Sequence, residues 1–344
     1  AGTRTNGLIT SGYSTHNAGV PFSTYFSVDQ ASNYFLYEEG EGASAEVFCS
    51  SVNNATNWDY FIARSMNTGT VQTIKLYSNW TAARSTTGFG VSYNSGGGLN
   101  VPAGAKIILD LNGYNLDRNY TSAASSGYVM YVAGQITIRD SKAGNSRITG
   151  GFNSTSSSAG GIYVSGGELT LESGHIYGNK VSNSISAGAV YINSSATFNM
   201  KGGYIENNAS TNAGPGGVWV NGQAASRFIM TGGKIQNNTT TSATNPGGVQ
   251  VNSSGVMRLG GNAVIENNTS AGMQKNVTTL DNNAKFEIVE TIGSDFRVGL
   301  SKTNNNYENT SGLIFTTNWY QYANGASPIG KFFSDDSMYD VVSA

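Results

Sequence analysis

"KGGYIENNASTNAGPGGVWV", residues 201–220, holds a double glycine, an isoleucine, two asparagines, a polar loop, a second double glycine and an apolar alternation. The same order of features recurs around it. The apolar end appears as "GGIYV" 160–164, "GAVYI" 188–192, "GGVWV" 216–220 and "GGVQV" 247–251; the last residues, Val164, Ile192, Val220 and Val251, are spaced 28, 28 and 31 apart. A second piece follows each: "LTL" 169–171, "FNM" 198–200, "FIM" 228–230 and "MRL" 257–259. A third is "GHIYGN" 174–179, "GYIENN" 203–208, "GKIQNN" 233–238 and "AVIENN" 263–268, with Ile176, Ile205, Ile235 and Ile265 spaced 29, 30 and 30.

Within each piece the apolar residues alternate with a period of two, as in β-strands. Three short strands per repeat, separated by Gly and Asn corners, describe one turn of a parallel β-helix. Hairpin signals for a sandwich or barrel are missing from this period. One turn has about five inward side chains, too few to offset the ordering of its backbone, so turns must stack and share ladders. The expected fold is all-β: a right-handed parallel β-helix (solenoid) with a short N-terminal capping helix and non-repeat terminal segments.

The corners are readable too. Asn179, Asn208, Asn238 and Asn268 each lie three residues after the isoleucine. Asn tolerates left-handed backbone angles, and stacked amides can bond one turn to the next as a ladder. The glycine pairs mark a bend where a Cβ would clash. Earlier, "KIILDLNGYNL" 106–116, "YVMYVAGQITI" 128–138 and "SRITGG" 146–151 carry the same strand types, and Ile148 precedes Ile176 by 28. After residue 270 the pattern loosens.

Four segments follow: 1–55, a non-repeat cap or subunit-pairing extension; 56–70, a capping helix; 71–300, the parallel β-helix; and 301–344, a C-terminal cap. In the helix, Thr56 and Asp59 resemble a capping box, Gly69 can end it, and Trp58, Phe61, Ile62 and Met66 share one face. Residues 1–50 form either a small β cap or an extension that adds a strand to a neighbour. The aromatic residues Phe315, Trp319, Tyr320, Tyr322, Phe332 and Phe333 either close the C-terminal end or meet the next molecule.

The 344 residues carry a formal net charge of −2 and only 12% charged residues, which leaves no basic footprint for nucleic acid. No apolar run approaches the roughly 20 residues that span a bilayer. The single cysteine, Cys49, excludes an internal disulfide and reads as a small buried side chain. Low charge with abundant Gly, Asn, Ser and Thr points to a secreted chain at the cell surface, and the start at Ala1 fits one whose leader has been removed.

"AGAKIILDLNGYNL" 103–116, "ITIRDSKAGNSRITGG" 136–151 and the repeated GG-x-I-x-N-N … GGV-x-V resemble the pectin-lyase-like right-handed β-helix of bacterial surface and secreted proteins, and are similar to adhesin-like and polymorphic outer-membrane protein repeats. The resemblance covers roughly 70–300. It implies the fold; the same coil supports lyases, hydrolases, adhesins and structural rods.

Catalytic patterns are weak. Asp110, Asp117 and Asp140 share no column with another acid. Glu168 and Glu172 flank "LTL" about 13 Å apart along the strand, outside both glycosidase geometries. Glu172 aligns with Lys201 as an exposed ion pair, and His175 aligns with Tyr204 and Lys234, so its position does not demand imidazole chemistry. No calcium nonapeptide, zinc cluster, phosphate loop or G-x-S-x-G elbow appears, so no catalytic residue, cofactor or metal is assigned. The inserts "NSTSSSA" 153–159, "KVSNSISA" 180–187, "ASTNAGP" 209–215 and "TTTSATNP" 239–246 fall at one position and stack into a Ser/Thr/Asn-rich face.

The reading favoured by these features is a non-catalytic extracellular structural or adhesive rod, self-associating end to end as a filament or surface-layer subunit. Its contact candidates are Tyr34, Phe35, Tyr37, Trp319, Tyr320 and Tyr322. The alternatives are a polysaccharide-active lyase or hydrolase, which requires a groove with two or more acids near Arg or Lys, and a glycan-binding module in which an outward Trp219 or aromatic residues of the end regions stack on host or cell-surface glycans.

Overall fold

The computed structural model describes residues 54–76, 78–142, 144–222, 226–252, 254–279, 286–301, 316–336 and 340–341, with the backbone of the strands Thr3–Thr5, Leu8–Ser11, Thr15–His16, Val20–Pro21, Phe35–Tyr37 and Glu46–Cys49. The chain winds into a parallel β-solenoid of about seven turns.

Each turn contributes one strand to each of three parallel sheets. The central turns place Ile162–Ser165, Val190–Asn193, Val218–Val220 and Val249–Val251 in the first sheet. Glu168–Leu171, Thr197–Met200, Arg227–Met230 and Val256–Gly261 form the second. His175–Tyr177, Tyr204–Glu206, Lys234–Gln236 and Val264–Glu266 form the third. The register follows the sequence periodicity. Trp80, Leu116, Ile148, Ile176, Ile205, Ile235, Ile265, Val298 and Phe332 make one continuous column in the third sheet, and all are buried. A constant step of about 30 residues puts each isoleucine on the previous one, so every apolar layer is covered above and below. Phe198 and Phe228 stack in the same way in the second sheet, with ring centroids 5.1 Å apart.

The glycine pairs sit where turns approach closely. A Cβ on Gly217 would come within 2.4 Å of the carbonyl oxygen of Gly248, and one on Gly248 within 2.2 Å of that of Asn276. After the third sheet a short ladder runs through Phe152–Asn153, Lys180–Val181, Ala209–Ser210, Thr239–Thr240 and Thr269–Ser270, and ends in an antiparallel partner, Met273–Gln274.

Helix α1, Asn54–Thr68, covers the first turn. Two expectations about it need correction. The helix begins at Asn54, so Thr56 lies within it rather than at its cap, and Asp59 lies beyond its first turn. Its carboxylate accepts hydrogen bonds from the backbone amides of Ser92 (2.7 Å) and Tyr93 (2.9 Å), tying the helix to a distant loop. The buried stripe is Trp58, Phe61, Ile62 and Ser65, whereas Met66 is exposed. Ser65 Oγ accepts from the Lys106 amide at 2.7 Å, a contact that apolar periodicity does not predict. Gly69 ends the helix at φ 70°. Beyond α1, Glu46–Cys49 pairs parallel with the second-sheet strand Gln72–Leu76, and Phe35–Tyr37 pairs antiparallel with Glu46–Cys49. The Cys49 side chain lies outside the described residues.

The opposite end is closed by Phe332–Ser334, the last strand of the third sheet, and by α2, Trp319–Tyr322. Trp319 and Phe332 are buried with centroids 5.6 Å apart, and Phe296 packs on Phe332 at 5.3 Å.

Candidate functional site

Three groups of polar or aromatic side chains run along the rod. The first is the asparagine ladder. Asn179, Asn208, Asn238 and Asn268 are fully buried. Each side-chain oxygen accepts from the backbone amide of the preceding rung: Asn179 N to Asn208 Oδ1 at 2.9 Å, Asn208 N to Asn238 Oδ1 at 3.0 Å, Asn238 N to Asn268 Oδ1 at 3.0 Å. Each side-chain amide also donates to the isoleucine carbonyl one turn back, as Asn208 Nδ2 does to Ile176 O at 2.9 Å. Buried corner amides and carbonyls are thereby satisfied, which is why Asn recurs there. One expectation is corrected. The left-handed backbone belongs to the preceding residue, Gly178, Asn207, Asn237 and Asn267, with φ of 68°, 57°, 55° and 57°. In each Asn-Asn pair the first bends the chain and the second makes the rung.

Two further residues finish this ladder. Asn276 occupies the position of the second glycine, aligned with Gly248, and accepts from Asn268 N at 3.0 Å. Asp335 then accepts from Asn276 N at 2.6 Å, from Asn276 Nδ2 at 2.5 Å and from the Ser301 hydroxyl. The sequence signal existed: "FFSD" 332–335 repeats the isoleucine-plus-three spacing with Phe and Asp.

The second group is an aromatic row on the outer face of the first sheet. Tyr131, Tyr163, Tyr191 and Trp219 lie in register, edge to face, with centroids 5.2, 5.6 and 5.6 Å apart. Trp219 points away from the core as alternation requires, but it is only 7% exposed. It shares a small apolar cluster with Ala159, Ala187 and Tyr191. The inserts do stack, with Ser158–Ala159 paired to Ser186–Ala187, and their alanines close over the row. The Trp219 indole donates to Asn252 Oδ1 at 3.0 Å. Trp219 is therefore a packing residue, and the expectation of an open sugar platform there is corrected. Burial pushes the Tyr191 phenol up to about 12.

Of the terminal candidates, Tyr34 lies outside the described residues, and of Phe35 and Tyr37 only the backbone is described. Trp319 is buried in the end of the core and is not available for contact, Tyr322 packs partly against the core, and Tyr320 is 81% exposed.

The third group lies on the outer face of the third sheet and was missed as a group. Arg147, His175, Tyr204, Lys234, Val264 and Arg297 form one row; Tyr177, Glu206, Gln236 and Glu266 form the next. The rows are cross-braced. The Arg147 guanidinium lies 3.9 Å from the Tyr177 ring centroid. His175 stacks on Tyr204 at 4.6 Å with planes 12° apart, and its Nδ1 donates to Glu206 Oε1 at 2.9 Å. Gln236 Nε2 donates to Glu206 Oε2 at 2.9 Å, and Arg297 Nε to Glu266 Oε2 at 2.9 Å. The residue after each ladder isoleucine supplies Glu206, Gln236 and Glu266, a signal present in the repeat itself. At its C-terminal end this face drops into an open cleft of about 580 Å³ against residues 326–331, lined by Lys234, Glu266, Asp295, Arg297, Ile329 and Lys331.

Acids elsewhere are committed to turns. Asp110 accepts from Asn112 N and Ser141 N and faces Arg139 Nε at 3.3 Å. Asp117 accepts from Asn119 N and Asp140 from Gly113 N. Glu168 accepts from Asn199 Nδ2 at 2.7 Å. Glu172 and Lys201 are aligned on adjacent turns as the register predicts, yet they form no ion pair. Among the described residues, no group of three or more His, Cys, Asp or Glu side chains is placed to hold a metal ion, and no helix is long and apolar enough to cross a membrane. No protein-family model, curated protein or solved structure matches the chain.

Proposed function

We propose that the chain is a non-catalytic extracellular rod, structural and adhesive, that joins copies of itself end to end. One observation carries the reading. Among the described residues six large apolar side chains are exposed, and four of them belong to the two ends: Met66 in α1 and Val71 just after it, and Tyr320 and Ile329 in the last turn. Exposed apolar surface gathered at the ends of an otherwise polar rod favours head-to-tail association, which does not close and so propagates. Contact would go through these side chains rather than through a continued ladder, because Asp335 ends the ladder without a donor to pass on. The extracellular placement rests on composition, and kinship with pectin-lyase-like and adhesin repeats rests on the motifs; both belong to the proposal. Sedimentation velocity across a concentration series tests it: the wild type should form growing species that Tyr320→Asp and Ile329→Asp abolish. A monomer at every concentration removes the self-association.

A second reading, a polysaccharide-active enzyme, draws on the cleft, which brings Glu266 and Asp295 together with Lys234, Arg297 and Lys331. Against it, Glu266 Oε2 is already engaged by Arg297 Nε at 2.9 Å. Turnover of acidic or neutral glycans, lost in Glu266→Gln, would replace the first reading with this one.

A further inference from the structure

We infer that Asn324–Gly325, in the turn that follows α2 at the C-terminal end, is a site of spontaneous modification, where the fold exposes one asparagine to conversion into aspartate and isoaspartate while it protects two others. The chemistry stands apart from the proposed function; its effect on the joint between copies rests on that reading.

An asparagine followed by glycine is chemically labile, because the glycine carries no Cβ to obstruct its own amide as it reaches the preceding side chain. The Gly325 backbone nitrogen attacks Asn324 Cγ. A C–N bond forms, the side-chain nitrogen leaves as ammonia with the proton of the Gly325 amide, and a cyclic succinimide remains. Water then adds to either ring carbonyl and opens the ring, leaving aspartate or isoaspartate. Water is consumed and ammonia released, with no oxidant or cofactor.

The sequence holds four Asn-Gly pairs, of which Asn6–Gly7 lies outside the described residues. Two of the other three fold alike. Asn112 and Gly113 have φ of 49° and 87°, in a turn closed by Tyr114 N to Leu111 O at 2.9 Å. Asn324 and Gly325 have φ of 48° and 78°, in a turn closed by Ala326 N to Ala323 O at 2.8 Å. Both show the φ signs of a type I′ turn, which favours Asn-Gly. Their surroundings differ. Asn112 is buried, its carboxamide donates to Leu76 O at 2.8 Å, and the Gly113 amide donates to Asp140 Oδ1 at 2.8 Å. Electrophile and nucleophile are thus both tied. The Asn221 carboxamide is held at both ends: it donates to Asn193 Oδ1 at 2.8 Å and accepts from Asn252 Nδ2 at 3.2 Å. Asn324 and Gly325 are both exposed, and neither the Asn324 carboxamide nor the Gly325 amide bonds to a described residue. A Cβ on Gly325 would meet nothing within 4 Å, so the pair has room to rearrange.

The product places a carboxylate at the end that carries Tyr320, 81% exposed, and Ile329, 59% exposed. Isoaspartate also lengthens the main chain there by a methylene. A new charge in an apolar contact disrupts it. The joint weakens as each molecule ages. The ladder asparagines Asn179, Asn208, Asn238 and Asn268 are followed by residues other than glycine and are spared.

Peptide mapping by mass spectrometry of the full folded chain, sampled over weeks at neutral and mildly alkaline pH, tests the site. Fragmentation that separates aspartate from isoaspartate identifies the product. Asn324 should convert at least about ten times faster than Asn112 or Asn221, where two hydrogen bonds must break first. It should convert faster at the higher pH, which favours loss of the proton from the attacking amide. In the chain unfolded in guanidinium chloride the three should convert at similar rates. An Asn324 that stays intact in the folded chain, or the same ranking in folded and unfolded chains, overturns the inference. Sedimentation of fresh protein, aged protein and Asn324→Asp reads the consequence separately. Shorter assemblies in the last two support the effect on the joint, and unchanged assemblies remove it. A fresh chain that never assembles defeats the end-to-end reading, and the mapping still decides the modification.

Discussion

Asp335 receives both the backbone amide and the side-chain amide of Asn276, at 2.6 and 2.5 Å, and so closes the asparagine ladder with an acceptor that has nothing to donate. The ladder is directional: the backbone amide of each rung donates to the side-chain oxygen of the next rung toward the C-terminal end. A carboxylate satisfies the last donors without creating a new orphan. Asp335→Ala should therefore destabilise the fold by about 1–3 kcal/mol through unpaired donors. Urea denaturation measures this, and an unchanged midpoint would show that the carboxylate is not the terminator.

The Asn-Asn corners make a sharper prediction. Asn207→Gly should be nearly neutral, because glycine adopts φ 57° without strain. Asn208→Gly should cost about 2–4 kcal/mol, since Asn179 N loses its acceptor and Ile176 O its donor in a buried corner. Equal losses at the two positions would contradict the division of roles.

Trp219 is a packing residue, so Trp219→Ala should lower stability by about 3 kcal/mol. Thermal unfolding followed by circular dichroism gives the readout. An exposed platform would lose almost nothing on the same substitution.

Tyr191 should be among the last tyrosines to ionise. Its pKa is pushed up to about 12, first by burial. A tyrosine whose folded pKa exceeds its unfolded value of about 10 contributes stability that is full below pH ~10 and is lost as pH rises toward 12. Lys275, whose pKa burial lowers, acts in the opposite sense on stability, so the site-specific signal is cleaner. Absorbance of tyrosinate should show a late component that disappears in Tyr191→Phe.

Much of this was legible in the sequence, and the reasons are particular. The isoleucine column reads directly because a constant step forces Ile148, Ile176, Ile205, Ile235 and Ile265 into one register. The ladder reads for the same reason. The split between Asn207 and Asn208 does not, because one residue type fills both positions. Alternation places Trp219 outward correctly but is silent on the inserts that fold over it, since that covering depends on Ala159 and Ala187 from two other turns. Met66 falls on the helical face by periodicity, yet Ser65 is buried because the Lys106 amide needs an acceptor there. The third-sheet face escaped because its residues differ from turn to turn; what repeats is their outward position.

The most direct test of the account is electron microscopy of the purified chain at high concentration, alongside Tyr320→Asp and Ile329→Asp. The account predicts narrow rods joined end to end in the wild type and single rods in the variants. Wild-type particles that stay single at every concentration, or that join side by side, would contradict it.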